Sequence, residues 1–215
     1  MVAAWPRVPA AAAMSRVVGI DPGALGGLGV LDLDAAGELL GVGMHRTPRV
    51  TVMRNRKARH EYDAAAMREL LARAVDGRPP ELVGVEVVLE AQGARPAQGT
   101  ASSYRTGVGY GLWLGLVVGM RVPYRVVAPA VWKQHAGLIG KDKAASRLRA
   151  QERFPSLGAI AAADEGPAEA LLLAAYVAAA TRGAENASSR IPRQRRATGN
   201  PDSSEPAPRR QGGGG

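Results

Sequence analysis

Asp21, Glu90, Asp164, Glu165 and Glu169 stand at the ends of segments that are otherwise apolar, and no lysine or arginine adjoins any of them in sequence. Carboxylates gathered where hydrophobic elements converge are costly unless a positive charge compensates them. A divalent metal would do so. In-line attack of water on a phosphodiester needs a nucleophile generated and a leaving alkoxide stabilised, and two ions about 4 Å apart serve both ends of that displacement. Mg²⁺, for which Mn²⁺ substitutes, takes hard oxygen ligands, so the site would need carboxylates from separate elements on one edge. With a formal net charge of +9, the chemistry indicated is a metal-dependent reaction on a polyanion, nucleic acid before others.

Each acid has a plainer role beside the chemical one. Asp21 precedes Pro22-Gly23 and reads as a turn residue, Glu90 reads as a strand-terminal surface acid, and Asp164 caps a helix as readily as it ligates. Glu169 follows Glu165 at i, i+4, so those two share a helical face. The joint pattern is what favours chemistry.

The elements that must position these acids follow from periodicity. Arg16 to Asp21, Gly27 to Asp32 and Glu38 to His45 read as three strands at hairpin spacing, followed by a basic loop from Arg46 to His60. Asp63 to Val75 reads as a helix capped by Asp63, and Glu81 to Glu90 as a strand buried on both faces. Ser102 to Met120 is helical with Gly107, Gly111, Gly115 and Gly119 every fourth residue, a stripe that would let it approach the sheet or another backbone closely. Tyr124 to Val127 is a short strand, Pro129 opens a helix, and Lys141 to Phe154 and Asp164 to Ala180 are the last two helices. Three leading strands and then helix–strand alternation predict an α/β fold, a ribonuclease-H-like mixed five-stranded sheet flanked by helices, over a doubly wound sheet.

Composition bounds the rest. The 215 residues suit one cored domain with tails. Residues 1–15 read as a leader with no acid, either a transit-peptide remnant or bland low complexity; 16–181 read as the cored ribonuclease-H-like domain that carries the acids; 182–215, with seven arginines against Glu185, Asp202 and Glu205, read as a disordered basic tail. The absence of cysteine excludes a disulfide partner and thiolate ligation, and three histidines leave little for zinc. No apolar run reaches the roughly 20 residues of a membrane span, so no membrane partner is expected.

The blocks VVGIDPGALGGLGVL, VVLEAQGARPAQG, GVGYGLWLG, PAVWKQHAGL, KDKAASRLRAQERFPSL and DEGPAEALLLAAY occur in the order found in RuvC-type Holliday-junction resolvases. Over about Val17 to Ala178 the spacing most resembles the chloroplast resolvases of plants and algae. The resemblance implies a Mg²⁺-dependent homodimeric endonuclease, with two ions per active site, that nicks opposed strands of four-way junction DNA. It also implies a chloroplast nucleoid location, a bacterial or phage-encoded protein being the alternative.

By the same resemblance Asp21, Glu90 and Glu169 match metal-site acids. Glu86 rivals Glu90, and the fourth position is open between Asp164 and Glu165, because the stretch 164–169 departs from the pattern at Glu165 and Pro167. Lys133 and His135 match a segment near the active site, where Lys133 could contact the scissile phosphate; a solvated helix face is the alternative. Trp132 reads as core. Arg54, Arg56, Lys57 and Arg59 would track one DNA arm, and Lys141, Lys143, Arg147 and Arg149 another, unless these runs are merely solvated. Gln98 lies in the Gly93 to Tyr104 loop, where the family probes the junction centre. The glycine-lined helix around Gly111 and Leu112 is a candidate dimer surface. Two other functions compete: a nuclease of the same fold acting on RNA–DNA hybrid or flapped DNA, and a non-catalytic DNA-binding module.

Overall fold

Val17, Val18, Gly19 and Ile20 are all buried, which puts strand β1 (Met14–Asp21) in the middle of the sheet. The structure is a computed structural model and describes residues 14–76, 82–93 and 99–189; most of the expected leader, Gln98 and the tail beyond Ser189 lie outside them. β2 (Gly27–Leu33) returns antiparallel to β1, and β3 (Leu39–Arg46) lies antiparallel on β2. β4 (Arg49–Arg54) and β5 (Lys57–Tyr62) then pair with each other as a separate two-stranded ribbon. α1 (Ala64–Asp76) leads to β6 (Leu82–Glu90), and α2 (Thr100–Gly119) to β7 (Tyr124–Val127); both strands run parallel to β1, giving the order β3-β2-β1-β6-β7.

The period-two alternation of β1 feeds two cores. Val18 and Ile20, with Val87 and Leu89 of β6, meet Met67 and Leu71 of α1 and Trp113 and Val117 of α2. Val17 and Val88 face the other way, toward α3 (Pro129–His135), α4 (Lys143–Arg153) and α5 (Glu165–Ser189), against Trp132, Ala150, Phe154 and the Leu171 to Ala175 run. α5 lies directly on the strand backbones. A Cβ at Gly19 would fall 1.9 Å from the Ala170 carbonyl oxygen, and one at Gly29 2.3 Å from the Leu171 backbone. A buried Arg16–Asp32 pair (2.6 Å), with Arg16 also donating to the Ala74 carbonyl, ties β1 and β2 to α1.

The Asp63 cap holds as expected, its Oδ1 accepting the Ala66 N–H at 3.0 Å. Three expectations change. The loop expected from Arg46 to His60 is largely the β4–β5 ribbon, whose strands are mostly exposed and whose apolar alternation is limited to Val50 and Val52. The stripe of Gly107, Gly111, Gly115 and Gly119 does not approach the sheet: a Cβ at any of them would meet nothing within 4 Å. Gly109, Trp113 and Val117 take the buried side instead, because turning the bulky stripe inward removes more apolar area from water. The last helix continues to Ser189, past its expected end at Ala180. Among the described residues, no helix is long and apolar enough to cross a membrane.

Candidate active site

Ile20 of β1 stands opposite Leu89 of parallel β6, so Asp21 and Glu90 leave neighbouring strands, about 4.8 Å apart, at one level and on one face. That face is the one α5 covers. The first turn of α5 docks on the β1–β2 turn so tightly that a Cβ at Gly166 would lie 2.1 Å from the Leu25 carbonyl oxygen. One turn further, Glu169 reaches the same end of the sheet, where Lys133 Nζ of α3 lies 3.2 Å from its Oε1. The turn itself wraps Asp21: the Gly23 N–H donates to Oδ1 at 3.0 Å, and Gly26 packs where a Cβ would be 2.7 Å from the Asp21 carboxyl carbon.

Glu90 is the buried member, 5% exposed. Trp132 Nε1–H donates to its Oε2 at 2.8 Å and Gln92 Nε2–H to its Oε1 at 2.9 Å. Burial first, then the Asp21 and Glu169 charges, push its pKa up to about 7, against the opposing pull of the Trp132 hydrogen bond and Lys133. Glu169 is pinned from a third element by the Ser146 hydroxyl of α4, which donates to Oε1 at 2.9 Å. Tyr62, at the base of the ribbon, also belongs here. Its phenol lies over Gly109 and within 3.5 Å of the Pro22 carbonyl, and burial followed by the Asp21 charge raises its pKa.

Other candidates fall elsewhere. Glu86 pairs with Arg125 across from β7, so of the two acids on β6 it is Glu90 that joins Asp21. Asp164 lies in the 3₁₀ turn Ala162–Asp164, and its carboxylate pairs with Arg46 at 2.5 Å. Glu165, half-buried in the first turn of α5, stands one turn outward of Glu169. His135 sits edge-on to Tyr176, 5.3 Å between ring centroids, two turns along α5 from Glu169 and away from the acids. Arg147 NH1 donates to the Ile160 carbonyl at 3.0 Å, and its Nε is buried. Lys141 and Arg149 are exposed, and the side chain of Lys143 lies outside the described residues. Arg54, Arg56, Lys57 and Arg59 are exposed on the ribbon, with Arg54 bridged to Glu61.

Sequence reasoning missed Gln92, Ser146, Tyr62 and Arg46 as neighbours of the acids. It placed Trp132 in the core, where it is, without the bond its indole makes to Glu90. Only Gln92 carried a signal, lying two residues beyond Glu90; the others depend on how distant elements pack. As the side chains stand, no three His, Asp or Glu among the described residues are close enough to enclose an ion. The donor set nevertheless fits a hard cation: Glu90 is pushed toward its protonated form by burial first and then by the Asp21 and Glu169 charges, and the Lys133 ammonium lies against Glu169.

No protein-family model and no curated protein sequence matches the chain. Among solved structures, RuvC of Thermus thermophilus matches over 78% of this chain and 96% of its own, with 22% identity and a TM-score of 0.50. The fold is ribonuclease-H-like, as in RuvC. A second structure, T. thermophilus RuvC in complex with Holliday junction substrate, matches with the same coverage and identity at a TM-score of 0.48. The RuvC likeness carries the fold, and the chemistry is carried by the acids.

Proposed function

We propose that the protein is a metal-dependent endonuclease that resolves four-way DNA junctions by paired nicks in opposed strands. The observation that carries this reading is the meeting of Asp21, Glu90 and Glu169 at one end of a RuvC-like sheet, in a chain of net charge +9. Asp21, Glu90 and Glu169 would hold Mg²⁺, or Mn²⁺ in its place, in a two-ion site, with Asp164 or Glu165 completing it. Bound there, the metal supplies an activated water and stabilises the leaving alkoxide.

This chain's own residues do the rest. Trp132 and Gln92 fix both oxygens of Glu90, so that its lone pairs point where the fold directs them. Ser146 orients Glu169, and Lys133, which lies 3.2 Å from the Glu169 Oε1, would be the cation on hand for a phosphate oxygen. Near neutral pH without metal, Glu90 holds a proton for much of the time, which it must give up to ligate.

Cutting two opposed strands calls for two active sites, and a homodimer supplies them. The open glycine side of α2 supports that arrangement as a candidate contact, read out by light scattering. A chloroplast location remains the reading of the sequence resemblance. The decisive experiment is cleavage of a labelled synthetic four-way junction with Mg²⁺, with and without chelator. Asp21→Asn and Glu90→Gln are expected to abolish cutting while leaving junction binding intact. Nicking retained by both variants refutes the proposal, and preferential cutting of RNA–DNA hybrid or flapped DNA replaces it with the rival nuclease reading. Binding with no metal-dependent cutting of any substrate leaves a DNA-binding module.

A further inference from the structure

The β4–β5 ribbon is the strongest charged feature that the active site does not absorb. Its register pairs Val50 with Glu61, Val52 with Arg59 and Arg54 with Lys57 on one face, and Arg49 with Tyr62, Thr51 with His60 and Met53 with Ala58 on the other. Cross-strand partners share a face, so Arg54, Lys57 and Arg59 form a single cationic surface with Arg56 at its tip. All four are exposed, and the acid on that face, Glu61, engages Arg54 only. The opposite face is neutral beyond Arg49 and is fixed to the body by Tyr62 against Gly109 and the Pro22 carbonyl, one residue from Asp21.

The tip adds a second observation. Asn55 and Arg56 both have positive φ, 52° and 59°, as a two-residue type I′ turn requires. Asparagine adopts this conformation readily, whereas the second position favours glycine. An arginine here keeps a cation at the apex at the expense of backbone strain, and strain retained in an exposed turn points to a ligand.

We propose that the ribbon grips the backbone of a duplex DNA arm through Arg54, Arg56, Lys57 and Arg59, and that its Tyr62 anchorage sets that arm against the catalytic acids. The four cations occupy the tip half of the ribbon, from the Val52–Arg59 pair to Arg56, about 10 Å at roughly 3.4 Å per residue, which covers about three phosphates at the roughly 3.4 Å charge spacing of one DNA strand. Contacts of this kind position the substrate without reading its bases. The inference rests on the nuclease reading for the identity of the ligand; its test needs no catalysis.

Binding of a fluorescent four-way junction, and of a duplex equal to one arm, is measured in EDTA across a salt series. Arg56→Gly creates an Asn-Gly turn suited to the hairpin, so its melting temperature should equal or exceed that of the wild type. Its affinity should still fall, with the logarithmic salt slope shallower by about 1. Arg54→Gln/Lys57→Gln/Arg59→Gln should lose about 2 to 3 from that slope on both DNAs. A charge-matched control, Arg68→Gln/Arg73→Gln/Arg121→Gln, removes three cations from α1 and the residues after α2 and should leave the slope near the wild-type value. Wild-type slopes in both ribbon variants, or an equal loss in the control, overturn the inference. A wild type that binds but never cuts refutes the nuclease reading without touching this one.

Discussion

Glu90→Gln tests whether the acids crowd one another as the structure has them. The Glu90 pKa stands near 7 against an ordinary 4.5, so the folded protein keeps a proton that the unfolded chain releases between those values. A raised carboxyl pKa costs the fold stability as pH climbs through that window. The difference of 2.5 units is worth about 3 kcal/mol, fully lost by about pH 8 in metal-free buffer. Glutamine escapes that loss. Its single carbonyl oxygen, however, serves Trp132 or Gln92 and not both, which costs about 1 kcal/mol. The variant should therefore match the wild type near pH 5 and exceed it by about 2 kcal/mol at pH 8, about 4 to 8 °C in Tm for a chain of this size. Urea unfolding of both proteins at the two pH values, in EDTA, measures it. A difference that stays the same at pH 5 and pH 8, or a variant weaker at pH 8, would show that Glu90 ionises as a solvated acid and that the cluster is not electrostatically coupled.

Three further outcomes follow from the same geometry. Trp132→Phe removes the donor to Glu90 and should cost about 2 kcal/mol while shifting the pH dependence of cleavage upward, seen in denaturant melts and in a rate–pH profile. Gly19→Ala drives a methyl into the Ala170 carbonyl and should lift α5 from β1, costing about 3 kcal/mol or more and depressing cleavage through Glu169; near-wild-type values of both would mean that α5 does not lie on the strand. Asp32→Ala takes from buried Arg16, which is 3% exposed, the carboxylate that compensates its charge, and should destabilise by about 3 to 5 kcal/mol, with cleavage at permissive temperature unchanged because the pair is remote from the acids.

Local pattern determined the main elements and offered Asp21, Glu90 and Glu169 as candidates. β1 and β6 are apolar runs that each end in an acid, Asp63 caps α1 and Pro129 opens α3, and each of these signals acts over a few residues, where side-chain sterics and hydrogen bonding decide conformation. The order of strands and helices was enough for the sheet's architecture, because short connections leave few ways to pair them. Mostly exposed segments carry little such pattern, and the Val50-Thr51-Val52 alternation among the cations was too short to mark the β4–β5 ribbon.

What tertiary structure alone decided are the relations between acids and distant partners. Nothing near Asp164 in sequence announces Arg46, and nothing near Glu90 or Glu169 announces Trp132 or Ser146. The resemblance matched Glu90 with Glu86 as its rival; both lie at even spacing on one face, and strand register sets Glu90 at the level of Asp21 while Glu86 pairs with Arg125. Chain composition records which groups are charged. Which charge each one meets is settled by how α5 and α3 pack on the sheet, since ion pairs and hydrogen bonds act over a few ångströms between residues many positions apart.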